Sequence, residues 1–156
     1  MLHNIGLVLE TPDIAKNTGA ILRSCACFAA EAHLIEPLGF IMSDKRLQRS
    51  GMDYLNHVQI RRHSSVEDFD RYRKTHGRRV VLIETGYPAS IYDGGIASGD
   101  LLVLGSESRG ASVKMREIST LQLSIPMSGE VRSLNISAAA AIVLSESFRQ
   151  NRAKSG

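Results

Sequence analysis

The chain of 156 residues lacks the signatures of several ordinary chemistries. It has two cysteines, Cys25 and Cys27, one residue apart on a predicted helix, so their side chains diverge. That spacing excludes a Cys-x-x-Cys redox pair and half of a zinc site, and it predicts two buried free thiols. The five histidines (His3, His33, His57, His63, His76) show no His-Glu-x-x-His or other ligand spacing, so no catalytic metal is expected. There is no Gly-x-Ser-x-Gly elbow, which argues against a hydrolase of that type. No Gly-x-Gly-x-x-Gly follows the first apolar run, as an ordinary dinucleotide fold would require. No apolar run approaches a membrane span and the first residues carry no signal-peptide pattern, so the expectation is a cytoplasmic protein without membrane contact.

What is present describes a globular chain. Hydrophobic residues make up 43% and charged residues 22%, and the length suits a single domain over residues 1–156 with a real core. Short apolar runs alternate with helical patterns. The predicted strands are Ile5–Leu9, Ala32–Ile35, Val58–Ile60, Val80–Ile83, Leu101–Leu104 and Leu121–Ile125. Several are nearly continuous in Val, Ile and Leu, as expected when both faces of a parallel sheet are covered. Helices are predicted near 17–29, 43–50, 65–75 and 112–117, with a longer one over about 134–150. The alternation indicates an α/β domain, a parallel sheet with helices on both faces. The polar end, Asn151–Gly156, is expected to fray.

The stretch Leu101–Gly110 is the most informative. An apolar strand ends at Gly105 and the chain turns through Ser106, Glu107, Ser108, Arg109 and Gly110. In open parallel sheets ligands bind just past the carboxyl ends of the strands, and glycine there lets a ligand approach the backbone. Gly105 to Gly110 has the spacing of a phosphate loop, but Ala111-Ser112 follows where Lys-Ser/Thr is required. A glycine loop carrying a carboxylate suits an uncharged or cationic ligand better than a polyphosphate. With no conventional nucleophile in sight, such loops suit a reaction in which a cofactor carries the reactivity and the protein positions it.

Charge is unevenly placed. Residues 41–80 hold ten Lys/Arg, Arg46 and Arg49 among them, against five acids, while the rest of the chain is net acidic. A local basic field favours a polyanion such as RNA, and a solvated face with Arg–Asp pairs is the plainer reading. In the first helix Pro12 and Asp13 mark a turn, and Asn17 or Thr18 can cap. Arg23 lies off the apolar stripe of Ile21, Leu22, Cys25 and Phe28, where it opposes the macrodipole. It reads as a guanidinium held for an anion, or else as a surface partner of Glu10 or Asp13. In the last helix polar groups from Ser133 to Ser137 open a run of four alanines, Ala138–Ala141, which permits close packing against the sheet or a partner subunit.

Three segments then fall into an order. Asn17–Arg23, Gly105–Gly110 and Ile125–Ser137 resemble the three motifs of SPOUT-class RNA 2′-O-methyltransferases. The stretches Ile35–Phe40 and Asp44–Tyr54 resemble the small branch that methylates the ribose of the wobble nucleotide in certain tRNAs. The resemblance implies a C-terminal deep trefoil knot, S-adenosylmethionine held in bent form by the knot loops (with S-adenosylhomocysteine as product), tRNA as substrate, and a homodimer with the site at the subunit boundary. It implies that the adenosine pocket draws on Ile83, Gly105, Ile125 and Ser133. It gives Arg23 the role often assigned to a base. Free guanidinium keeps its proton up to a pH of about 12 or beyond, so a phosphate clamp that polarises the hydroxyl is the more physical role. Asn17 and Asn135 would orient the ribose and the loop, and Glu107 would fix the motif-two loop or Arg23. The sequence departs from the branch at Ala20, Ala138 and Ser145. The same chemistry on another tRNA position or on ribosomal RNA, and a catalytically silent RNA-binding relative, are the alternatives.

Overall fold

The computed structural model describes residues 4–43, 45, 47, 52–131 and 133–155, with backbone alone at 52, 53 and 153–155. Six parallel strands form one sheet: β1 (Gly6–Glu10), β2 (Glu31–Ile35), β3 (Ile60–His63), β4 (Val80–Ile83), β5 (Leu101–Leu104) and β6 (Leu121–Leu123). The spatial order is β3-β2-β1-β5-β4-β6, so β1 and β5 lie at the centre. Four α-helices are described: α1 (Ala15–Cys27), α2 (Val66–Thr75), α3 (Val113–Ile118) and α4 (Ile136–Ser155). Short 3-10 helices cover Met52–His57 and Ile91–Asp93. Among the described residues no helix is long and apolar enough to cross a membrane.

Strand periodicity sorts the core into two layers. Leu7, Leu9, Leu34, Val81, Ile83, Leu102 and Leu104 pack with Ile21 and Leu22 of α1 and Ala140, Val143 and Leu144 of α4. Val8, Ile35, Val80, Leu82, Leu101 and Val103 face the other way, onto Phe69 of α2 and Met115 of α3. Helices thus cover both faces, and the near-continuous aliphatic runs follow from that double burial. Each fully buried Leu or Ile contributes about 1.5–3 kcal/mol by leaving water.

Several boundaries differ from the sequence reading. The third strand is Ile60–His63 and not Val58–Ile60. It is an edge strand, so pairing with β2 fixes its extent, and its open side tolerates Arg61 and Arg62. The last strand stops at Leu123; Ser124 makes one isolated bridge to Ser90, and Pro126 has no N–H to extend a ladder. Helix α1 starts at Ala15 with Ile14 at the cap position and no side-chain cap bond, so neither Asn17 nor Thr18 caps it. Both lie inside the first turns of the helix. Cys25 is buried and its thiol is pushed up to about 12 by burial, whereas Cys27 is exposed, contrary to the expectation of two buried thiols. The end does not fray at Asn151: α4 runs to Ser155, Asn151 is buried, and Gln150 ties the helix to the carbonyl of Ile91 at 2.7 Å and the amide of Ile96 at 3.2 Å. The predicted helix over 43–50, with Arg46 and Arg49, lies largely outside the described residues.

A polar network sits within the α2 side of the sheet. His33 Nε2 lies 3.0 Å from Glu31 Oε2, and His33 Nδ1 lies 3.0 Å from His63 Nε2. A neutral His33 that donates to Glu31 must accept at Nδ1, so His63 donates from Nε2. Arg78 spans the same carboxylate at 2.7 Å, the carbonyl of Asn4 at 3.0 Å and that of Gly99 at 2.8 Å. The His33 hydrogen bond, and then Arg78, hold the Glu31 carboxyl at about 2 against the opposing effect of burial. Burial pushes both imidazoles down, His63 to about 4. Among the described residues of the basic quarter most other cations are paired too, with Arg73 and Lys74 on Asp70, Arg79 on Asp100, and Arg62 on Glu36.

Candidate active site

The carboxyl ends of the adjacent strands β4 and β5 carry Glu84-Thr85 and Gly105-Ser106. The loop after β6, residues 124–135, returns over them to start α4. These three turns enclose a cleft of about 700 Å³ whose walls include Ile83, Gly105, Glu107, Ser133, Asn17 and Asn135. An inner recess of about 110 Å³ is lined mainly by apolar groups, Ile83, Leu104, Ile125, Met127 and Leu134 among them.

The motif-two loop is a tight hairpin. Gly110 N donates to the Ser106 carbonyl at 2.9 Å, and Arg109 N donates to Ser106 Oγ at 3.0 Å. Gly105 admits no side chain, since a Cβ there would stand 2.3 Å from Ala111 N. The loop's exit is held by two carboxylates: Ser112 N donates to Glu10 at 2.9 Å and Ala111 N to Glu84 at 3.2 Å. Ser112 then caps α3 through the amide of Met115 at 3.1 Å.

The same loop clasps the entry to α1. Asp13 N donates to Glu107 Oε2 at 2.7 Å, and Ser108 N donates back to Asp13 Oδ2 at 3.1 Å. Asp13 is thus taken up by the motif-two loop, as Glu10 is by Ser112 N, and neither is a partner of Arg23. Beside it, Gly39 passes close to the chain: a Cβ there would lie 2.7 Å from the Asp13 carbonyl. Motif one meets motif three where Asn135 Nδ2 donates to Asn17 Oδ1 at 3.3 Å, while Asn135 Oδ1 accepts from Ser137 N at 2.8 Å and opens α4. Among the described residues two buried side-chain oxygens lack a partner, Thr18 Oγ1 and Glu107 Oε1, and both belong to the resembling motifs.

Seven of the eight residues singled out from the sequence therefore share one cavity system. Asn17, Ile83, Gly105, Glu107, Ser133 and Asn135 line the cleft, and Ile125 lines its recess. Arg23 stands apart. It is exposed, its guanidinium lies 4.5 Å from the centre of the Tyr54 ring, and it lines a neighbouring cleft of about 470 Å³ with Ala20, Ser24, Ser137 and Ala138. Two departures from the branch pattern, Ala20 and Ala138, thus open the space beside Arg23. Glu107 fixes the motif-two loop to α1's entry, and no contact joins it to Arg23 among the described residues. The sequence reading missed Glu84, Tyr87 and Arg116. Glu84 had a signal, as the residue following a strand end; Arg116 looks like any helical surface arginine.

The site can be set beside known proteins. The sequence matches the SpoU rRNA Methylase family over residues 4–145. A tRNA (cytidine(34)-2′-O)-methyltransferase of Ancylobacter novellus is 39% identical over 146 residues, covering 94% of this chain and 92% of the relative. A solved structure concerned with 2-OH methylation of C/U34 on tRNA superposes with a TM-score of 0.90 at 38% identity, covering 96% of this chain and 97% of the other. The SpoU methyltransferase AviRb of Streptomyces viridochromogenes, solved with AdoMet, superposes with a TM-score of 0.85 at 26% identity over 96% of this chain and 58% of its own. With a family match across nearly the whole sequence and relatives of this identity aligned end to end, the chain belongs to the SpoU rRNA methylase family.

Proposed function

We propose that the protein methylates the ribose 2′-hydroxyl of a tRNA wobble nucleotide, using S-adenosylmethionine. The observation that carries this reading is the convergence of the three motif turns on one cleft. Its volume of about 700 Å³ suits a nucleoside-sized ligand. The apolar recess suits an adenine ring, and the unpartnered Glu107 oxygen suits a cationic ligand. The relatives named for cytidine-34 2′-O-methylation and the AdoMet-bound AviRb neighbour support the substrate and the cofactor.

When bound, the cofactor supplies an electrophilic methyl on a sulfonium; the 2′-oxygen forms the new C–O bond as the C–S bond breaks, and the hydroxyl proton leaves to solvent. Ile83, Leu104 and Ile125 would exclude water from the adenine side. Backbone groups of the Gly105 turn would read the nucleoside at close range, because no side chain intervenes. Asn135, tied to Asn17, would hold the ribose and fix the start of α4. Arg23, with its fork free of Glu10 and Asp13, would clamp the neighbouring phosphate and polarise the hydroxyl.

The proposal includes a homodimer in which a second copy covers the α1–α4 side. Phe28 and Phe148 pair with ring centres 6.0 Å apart, and a groove of about 480 Å³ beside them is lined by Tyr92, Ile142 and Ser145. That face adjoins the Arg23 cleft, so a second copy would bring the site to the subunit boundary. The last segment is proposed to thread as a trefoil knot, supported by the return of residues 124–135 over the ends of β4 and β5. Pulling the chain from both ends should then leave a residual shortening that an unknotted chain lacks.

Nucleoside mass spectrometry of tRNA from a deletion strain tests the function. Loss of a 2′-O-methyl nucleotide at the wobble position, restored by the wild-type gene and not by Arg23→Lys, is the expected result. Loss at another position or in ribosomal RNA would move the target. An unchanged profile, with no cofactor binding by the purified protein, would leave a silent RNA-binding relative.

A further inference from the structure

One charged wall of the cleft has no part in the roles above. Glu84 follows Ile83 at the end of β4, and Arg116 stands beside it on α3; both line the cleft, and Glu84 also borders the recess. Glu84 is saturated. Its Oε1 accepts from Tyr87 Oη at 3.1 Å and Arg116 Nε at 3.1 Å, and its Oε2 accepts from Ala111 N at 3.2 Å and Arg116 Nη2 at 3.2 Å. A carboxylate offers about four lone-pair sites, so this one has none left for a ligand. Burial raises the Glu84 carboxyl, but the bonds from Arg116, Ala111 and Tyr87 outweigh it and hold the group below its ordinary range.

Arg116 is in the opposite condition. Glu84 takes Nε and one hydrogen of Nη2, the Tyr87 hydroxyl lies within reach of the same guanidinium, and the side chain is still 46% exposed. The fork is therefore aimed by Glu84 on one edge, and nearly half of the side chain stays open to solvent. Among the described residues it is the one cationic side chain lining the cleft.

The ligand supplies the complement. S-adenosylmethionine has an aromatic nucleoside, a sulfonium and an amino-acid tail that ends in a carboxylate. The apolar recess answers the first and the unpartnered Glu107 oxygen the second. Neither can take a carboxylate, and the saturated Glu84 would repel one unless Arg116 met it. We propose that Arg116, aimed by Glu84 and Tyr87, binds the α-carboxylate of the cofactor's tail through its exposed part; this rests on the S-adenosylmethionine reading given above. Arg116 is then a cofactor-binding residue, and Glu84 its positioning partner.

Titration calorimetry on the full chain tests this without turnover, by comparing S-adenosylmethionine with its decarboxylated form, which lacks that one carboxylate. Wild-type protein should bind the decarboxylated form about tenfold more weakly, the low end for a charge-assisted contact because the arginine is half exposed. In Arg116→Gln the affinity for S-adenosylmethionine should fall about tenfold while that for the decarboxylated form stays put, so the ratio collapses to about one. Arg116→Lys should recover part of it. Equal wild-type affinities for the two ligands would overturn the clamp, and that arm needs no variant to fold. A ratio that survives in Arg116→Gln would overturn it as well, and a loss of tRNA affinity alongside would reassign the arginine to an RNA phosphate. If wild-type protein binds neither ligand, the cofactor reading itself fails and takes the clamp with it.

Discussion

Two polar regions of this molecule are built on opposite terms. On the α2 side, Glu31, His33, His63 and Arg78 form a closed set in which each donor or acceptor of Glu31, His33 and Arg78 described above meets a protein partner. In the cleft, Glu107 Oε1 is buried without one and the Arg116 fork is half open. Leaving a buried polar atom unpaired costs about 1–3 kcal/mol, so a native chain tolerates it where a ligand completes the set. The first region is finished by folding alone, and in the proposed function the second is completed by the cofactor. Residues that look alike in sequence, a Glu beside an Arg, therefore do different work.

Breaking the closed set should give the largest effect. Arg78→Ala takes the cation from the Glu31 carboxylate, which keeps only His33, and leaves two carbonyls without this donor; it should cost about 3–5 kcal/mol in denaturant unfolding. The folded fraction should keep its cofactor affinity; a cost under about 1 kcal/mol would mean that the network is slack.

Acid probes the same region more gently. Both imidazoles sit below their ordinary 6.5 when folded, His63 at about 4, so the unfolded chain takes up their protons first. Stability is therefore full above pH 6.5 and falls as pH drops from there toward 4, by about 1–3 kcal/mol. Glu31 adds a second decline between 4.5 and about 2, because its lowered carboxyl stabilises the folded state fully above 4.5 and loses that contribution as pH falls to about 2. Thermal midpoints measured against pH should trace both steps, and a flat profile between 6.5 and 4 would contradict neutral buried histidines.

Glu107→Gln should invert the pattern. Its Oε2 contact with Asp13 can be kept by the amide oxygen, so unfolding should shift by under about 1 kcal/mol while affinity for the cationic cofactor falls about tenfold. A stability loss larger than the binding loss would make Glu107 a structural clasp and nothing more. At the bottom of the scale, Arg71→Ala removes an exposed contact of 3.4 Å to Asp68 and should change stability by less than about 0.5 kcal/mol. A larger drop would extend the closed network to the surface.

The comparison also explains what the sequence disclosed. Val80–Ile83 and Leu101–Leu104 were legible to the residue because a doubly buried strand must be aliphatic throughout. His63 was not, because an edge strand is set by its neighbour's ladder and not by its own pattern. The cleft was legible where backbone geometry demands particular residues, as at Gly105, Asn135 and the carboxylate of Glu107. Arg23 showed itself by opposing its helix dipole, though its neighbour Tyr54 comes from another segment and no periodicity reports that contact. Arg116 was illegible, since only the fold brings it from α3 to Glu84, 32 positions away.

The clasp between Asp13 and Glu107 joins residues 94 positions apart, and the Asn17–Asn135 contact joins residues 118 apart. Closing such long loops is entropically slow and comes late. During synthesis, α1 and its neighbouring strands leave the ribosome long before Asn135 does. The cleft therefore cannot be completed on a nascent chain until Ser133 and Asn135, which form one of its walls, have emerged.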